Sequence, residues 1–301
     1  MSSPAAVLSP AAPAIRRATL IGATAVLLWA TLATLTSFAG PVPPFQMVAM
    51  SFGIGGITGL LVQIVRRRPL SQALFQPLPV WLLGVGGLFG YHFFYFIAMR
   101  TAPAVEANLI NYLWPLFIVL FSGLLPGERL GRAALAGAAA GLAGTLLLVG
   151  GGAEAGEMGG GHWAGYLSAL ACALIWSAYS VAMRRHGEVP TEAVTGFCLG
   201  TSVLAALCHL LFEVTVWPQG AAWLVVLAMG LGPLGIAFFV WDYGIKRGDI
   251  QTLGALSYAA PLLSTALLIA LGRGEPTPTL GLACLLIVGG AVIAGRGLAR
   301  G

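Results

Sequence analysis

The chain has 301 residues, of which 58% are hydrophobic and only 8% charged, with a formal net charge of +5. Soluble domains carry about 25% charged residues, so this composition excludes an ordinary soluble protein. The positive charge does not point to nucleic acid either, because the basic residues sit between apolar runs near the length that crosses a bilayer core.

In chain order, residues 1–16 are rich in Ala, Pro and Ser and are expected to form a disordered cytoplasmic tail. The apolar run that follows exceeds the roughly 7–15 residues of a signal-peptide core and shows no convincing cleavage site, so it is expected to stay as the first span. The pattern predicts ten spans: 18–38, 44–65, 79–100, 104–125, 130–150, 161–183, 191–212, 221–245, 250–271 and 279–297. Backbone groups in lipid must be paired within the segment, and the alternation of a barrel is absent, so the spans are read as helices. An even number puts both termini on one side. That side receives Arg16, Arg17, Arg66, Arg67, Arg68, Arg129, Arg132, Arg184, Arg185, Lys246, Arg247, Arg296 and Arg300, and the other receives only Arg100 and Arg273. The basic side is the cytoplasmic one. The loops are short, and none holds a soluble catalytic domain. Cys172, Cys198, Cys208 and Cys284 all lie inside apolar runs without metal-ligand spacing and read as packing residues, so no metal is expected.

The stretch from Ala98 to Glu128, centred on Asn111-Tyr112-Leu113-Trp114-Pro115, returns weakly from Gly244 to Glu275. A shift of 146 superimposes Pro115 on Pro261, Tyr112 on Tyr258, Asn111 on Ser257 and Arg100 on Lys246. A shift of 147 superimposes Glu128 on Glu275 and Trp29 on Trp176. The chain therefore reads as two copies of one unit. Five spans per copy is odd, so the second copy enters the membrane upside down. The fold class is an all-α membrane protein of ten transmembrane helices in two inverted five-helix repeats, 17–150 and 161–299, joined by an extracytoplasmic linker, 151–160. Inverted repeats are typical of secondary transporters, whose substrate sits near the midplane between the halves.

Pro115 and Pro261 lie about eleven residues from their helix starts, roughly 16 Å deep at 1.5 Å per residue. Each lacks an amide, so the carbonyls four residues earlier, at Asn111 and Ser257, are expected to be free and to face a cavity. Asn108, Asn111, Tyr112 and Pro115 recur at helical spacing on one face. Tyr91, His92 and Tyr95 on the third span, Trp29 on the first, and Trp176 and Tyr179 on the sixth complete the candidate lining with Ser257 and Tyr258. His92 is deep enough to relay a proton or to pack with a hydrogen bond. Asp242 lies four residues before Lys246, which reads as an ion pair on the helix surface. Gly230-Leu-Gly-Pro233-Leu-Gly235 reads as a kink, with Pro233 joining Pro115 and Pro261 as hinge positions. The pairs Gly55 and Gly59, Gly86 and Gly90, and Gly137 and Gly141 read as close helix contacts within the molecule. Glu106 falls in the first turn of its helix, where the dipole suits it. There is no P-loop, HExxH, GxSxG or CxxC, so no cofactor is expected and transport must draw on gradients.

The ten spans, the inverted copies and the run from each proline to a Gly-Glu corner (Pro115 to Glu128, Pro261 to Glu275) resemble EamA domains of the drug/metabolite transporter superfamily, over about residues 16–298. Within it the chain is most similar to bacterial aromatic amino acid exporters of the YddG type. The second corner, Gly-Arg-Gly-Glu-Pro, is one residue longer than the first. The resemblance implies an inner-membrane exporter of amino acids or metabolites, a lipid-embedded monomer with a small-molecule substrate. Its central cavity would be walled by the first, third, fourth, sixth, eighth and ninth spans. Export of a nucleoside or an amphipathic drug, and a membrane-embedded enzyme, are the other readings; the enzyme lacks a nucleophile motif beside its one deep histidine.

Overall fold

A computed structural model describes residues 12–150, 162–272 and 278–295. Every regular element among the described residues is helical. Seven helices are long and apolar enough to cross a membrane: Ala12–Ser37, Pro44–Val65, Leu78–Thr101, Trp163–Arg185, Ala193–Phe212, Ala222–Arg247 and Ile250–Ala270. Arg132–Leu147 and Pro278–Ala294 are shorter apolar helices.

In finer detail the chain forms α1 (Ala12–Ala30), α2 (Leu32–Ser37), α3 (Pro44–Val65), α4 (Ser71–Leu74), α5 (Leu78–Thr101), α6 (Ala104–Asn111), α7 (Trp114–Ser122) and α8 (Arg132–Gly150). There follow α9 (Trp163–Arg185), α10 (Ala193–Phe212), α11 (Ala222–Leu231), a π turn (Gly232–Ile236), α12 (Ala237–Arg247), α13 (Ile250–Leu256), α14 (Ala259–Ala270) and α15 (Pro278–Gly295). Residues 12–16, expected in a disordered tail, are the first turn of α1: their Ala-rich sequence continues the helix rather than interrupting it. The expected linker 151–160 and Glu275 lie outside the described residues.

The most extensive packing joins α1 to α12, α5 to α9, α3 to α10 and α8 to α15. Small residues permit it. A Cβ on Gly22 would lie 2.8 Å from Gly244 Cα, so α1 and α12 cross with their backbones in contact. At the π turn, a Cβ on Gly235 would sit 1.9 Å from the Gly230 carbonyl oxygen, a position closed to every other residue. Gly55 faces Gly235 and Gly137 faces Gly290, which makes these seams contacts within the chain; Gly86 meets nothing. One end of the bundle is further pinned by Glu213. Its carboxylate accepts the amides of Phe45 and Gln46, at 3.0 and 3.1 Å, at the start of α3, and accepts His209 Nδ1–H at 3.0 Å. Outward-facing Leu61, Ile64, Leu82, Leu210 and Leu285 are each more than half exposed, an apolar exterior that lipid would cover.

Candidate functional site

The fourth predicted span is two helices, because Pro115 cannot continue the ladder. Tyr112 N–H still reaches the Asn108 carbonyl (2.8 Å), the next bond shortens to Leu113 N–H on Ile110 (3.1 Å), and the helical spacing resumes with Phe117 N–H on Leu113. The equivalent break near Pro261 closes differently. Ala260 N–H donates to the Ser257 carbonyl at 3.1 Å, and Ser257 Oγ donates to Leu253 at 2.8 Å. The expectation of a free carbonyl at Ser257 is therefore not met: a tighter turn supplies the amide that proline lacks.

The breaks and the π turn bring aromatic side chains from four helices together. Trp29 lies edge-on to Trp114 (6.2 Å between centroids), Trp176 (5.6 Å) and Phe238 (6.0 Å), and tilted against Trp241 (5.2 Å). Trp29 Nε1–H donates to the Pro233 carbonyl at 3.1 Å, inside the π turn. That carbonyl is available because a π turn interrupts the regular i to i−4 ladder. Trp241 Nε1–H donates to Ser180 Oγ at 3.1 Å, and Ser177 Oγ shares its proton between the Ala173 and Trp114 carbonyls. Each indole dipole that is satisfied in this way fixes a ring orientation.

Above these rings stands a polar wall. Asn111 Nδ2–H donates to Tyr91 Oη at 3.1 Å, Tyr95 Oη approaches Asn108 Oδ1 at 3.4 Å, and the Tyr91 and Tyr95 rings stack at 6.0 Å. Tyr91 in turn leans on Trp176 at 5.9 Å. Asn111 is 4% exposed, yet its Oδ1 has no hydrogen-bond partner among the described residues. The Tyr179 hydroxyl is buried and unpartnered in the same sense, its ring tilted on Trp176 at 5.2 Å. Buried polar atoms are normally paired, so such groups call for a ligand or water.

Of the other sequence candidates, His92 is buried with Nδ1 2.7 Å from the Leu88 carbonyl, so that nitrogen carries the proton, and its ring abuts Phe52 at 5.1 Å. Tyr112 is half-buried, beside Tyr91 and Tyr95. Ser257 is buried within its own helix turn. Tyr258 stands apart: its ring is buried with Val119, Ala138 and Ile287, against Gly141, in an apolar cluster separate from the one Trp29 packs on, and its hydroxyl has no hydrogen-bond partner among the described residues. Sequence reasoning missed Trp114, Trp241 and Phe238. Phe238 and Trp241 share a helix face at i and i+3, a signal hidden by their nearness to the basic end of the span.

The two ends of the site differ. Toward the Arg-rich end, α9 packs on α7 and α12, and Tyr179, Met183, Trp241 and Ile245 are buried. Toward the other end Tyr91, Tyr95, Asn108 and Tyr112 remain partly exposed. Among the described residues, two pairs of permanently charged side chains lie at the Arg-rich end. Asp242 and Lys246 meet at 2.8 Å with side chains 0% and 3% exposed, joined by Thr191 Oγ–H on Asp242 and by Lys246 on the Val189 carbonyl. The pair expected on the helix surface is thus buried, because the loop after α9 folds over it. Glu128 and Arg184 form the second pair, 30% and 21% exposed. Gly127, at φ +79°, makes the turn that lets Glu128 reach back. Arg184 Nη1–H donates at 2.7 Å to the carbonyls of both Ile245 and Gly248. A part-exposed pair of this kind is worth about 0–1 kcal/mol, whereas removing one partner of the buried pair costs about 3–5 kcal/mol.

Comparison with known proteins gives a consistent picture. The sequence profile of the EamA-like transporter family matches twice, over residues 16–150 and 163–296. The chain is 59% identical over 279 residues to the aromatic amino acid exporter YddG of Ancylobacter novellus, covering 92% of this chain and 96% of that one. It is 27% identical to the protein of the same name from Salmonella typhimurium, over 84% and 87% of the two chains. A probable terminal-alkyne amino-acid exporter of Streptantibioticus cattleyicolor is also 27% identical, over 88% and 90%. A solved crystal structure at 57% identity superimposes with a TM-score of 0.90 over 95% of this chain and 99% of the other.

Proposed function

The chain belongs to the EamA-like transporter family, and on that footing we propose that it is a secondary transporter of the cytoplasmic membrane that exports amino acids with large apolar side chains, aromatic ones foremost, by alternating access. The observation that carries the reading is an aromatic floor beside a buried amide, Asn111, with one end unpaired. An aromatic amino acid needs both features. Its ring gains about 0.5–1.5 kcal/mol per aromatic contact beyond burial. Its charged ends need polar partners, since unpaired groups at low dielectric cost several kcal/mol. Trp29, Trp176, Tyr91 and Tyr95 would hold the ring, with Asn108, Asn111 and Tyr112 at the charged ends. His92 would support Tyr91 and Phe52 from behind.

Ten spans in two inverted repeats, both termini cytoplasmic, complete the reading. The two family matches of similar length support the duplication. So does the packing: α1 on α12 answers α5 on α9 when the first and third spans exchange with the sixth and eighth, while α3 on α10 and α8 on α15 map onto themselves. The unequal ends of the site support a state closed toward the cytoplasm and open outward. Gradient-driven exchange rather than ATP follows from the missing nucleotide motifs.

The test is counterflow in proteoliposomes loaded with unlabelled Phe, Trp, Lys or thymidine and given radiolabelled Phe outside. Uptake driven by Phe and Trp and not by Lys or thymidine is expected. Uptake driven equally by thymidine would make the solute class wrong.

A further inference from the structure

Beneath the sealed end of the site lies a cavity of about 580 Å³, lined by the start of α1 around Ala18, by Glu128, by Arg184, and by Tyr243, Lys246, Arg247 and Asp249 at and just past the end of α12. Its lining mixes charged and apolar groups, and it lies where the two halves of the chain meet. Its charged groups are not equivalent. Lys246 is held by buried Asp242, Arg247 lies over the Tyr243 ring at 5.2 Å, and Asp249 caps α13 through Thr252 N–H at 2.7 Å. Glu128 and Arg184 remain, and they tie the corner after α7 to the ends of α9 and α12. Arg184 presents Nε and Nη2, the edge that binds a carboxylate with two parallel bonds, and both donate to the single oxygen Oε1 of Glu128. The partner is thus held by one oxygen of two, on a pair that water already reaches.

We propose that this cavity is a loading site for a zwitterionic amino acid and that the Glu128–Arg184 pair is its gate. The incoming carboxylate takes the Nε and Nη2 edge of Arg184, and the ammonium group takes the released Glu128. One ion pair is exchanged for two, so the substrate itself opens the path to the aromatic floor. A solute with one charge leaves one partner bare and does not open it. The ligand class rests on the exporter reading above; the gate does not.

The experiment places a cysteine at Ser180, buried where it meets Trp241 on the floor side of the pair, in a protein whose four native cysteines are replaced by alanine, and follows its labelling by an impermeant maleimide from the Arg-rich side. Glu128→Gln should raise the labelling rate about tenfold, and in the otherwise unmodified pair a rise from low salt to about 0.5 M should do the same in part, because a part-exposed pair is screened. Phe should accelerate labelling of the parent, while phenethylamine and phenylacetate should not. An unchanged rate both in Glu128→Gln that melts like the parent and across the salt series would overturn the gate. Equal acceleration by phenylacetate would overturn the ion-pair exchange. A parent that shows no Phe counterflow, with labelling still raised in Glu128→Gln, would overturn the ligand and keep the gate.

Discussion

Trp29 touches rings on α7, α9 and α12 and is pinned by the Pro233 carbonyl, so one side chain reads the position of three other helices. Trp176 and Tyr258 then make opposite predictions although both are deep aromatics. Trp176→Ala is expected to raise the half-saturating concentration for Phe and Trp about tenfold, a change of about 1.4 kcal/mol, read by counterflow. Tyr258→Ala leaves a cavity against Gly141 and Ile287, so it should lose about 3–5 kcal/mol of stability, read as a lower melting temperature, with the half-saturating concentration of the folded protein near that of the parent. A tenfold weakening in Tyr258→Ala at parental stability would put Tyr258 in the site after all. The chain itself made Trp29 and Trp176 legible, because an indole far inside an apolar run does not belong to an interfacial belt. Tyr258 was not separable from Tyr112 by sequence, since matched positions in two repeats share a register but not their neighbours.

Proline acts differently at the scale of the element in its three settings. At Pro115 it divides one span into α6 and α7; near Pro261 a short turn re-pairs Ser257; at Pro233 it sits in a π turn that frees its own carbonyl for Trp29. The prolines announced irregular helix, but which carbonyl stays unpaired depends on the local turn, which periodicity does not encode. The same limit applies to Asp242 and Lys246, whose spacing gave the pair while the loop around Val189 and Thr191 decided its burial. Burial sets the energetic ranking. Asp242→Asn should lower stability by about 3–5 kcal/mol, because it strands a buried ammonium group. Glu128→Gln should change it by about 1 kcal/mol or less. Melting curves of the two variants side by side check this order, and a larger loss in Glu128→Gln would reverse it.

The whole molecule was the most legible level: apolar runs near bilayer length point to helices in lipid, and a shifted self-match points to a duplicated unit, in line with the two family matches. The fine geometry that makes a site of these helices was not legible, since it comes from glycine seams such as Gly22 on Gly244. Orientation is testable directly. With single cysteines in a cysteine-free protein, an impermeant reagent added outside intact cells should label Gln219→Cys and leave Gly187→Cys unlabelled until the cells are opened. Reversed labelling would reject the proposed orientation.

The most direct test of the central claim is Phe counterflow by Asn111→Leu, compared in proteoliposomes with the parent and with Leu146→Ala, a change on the lipid-facing surface. Asn111→Leu removes the amide that pairs with Tyr91 while keeping the side chain close in size. Flux is expected to fall to background in Asn111→Leu at a melting temperature near that of the parent, and to stay at the parental rate in Leu146→Ala. Parental flux in a folded Asn111→Leu protein would contradict a substrate site at the amide above the tryptophan floor.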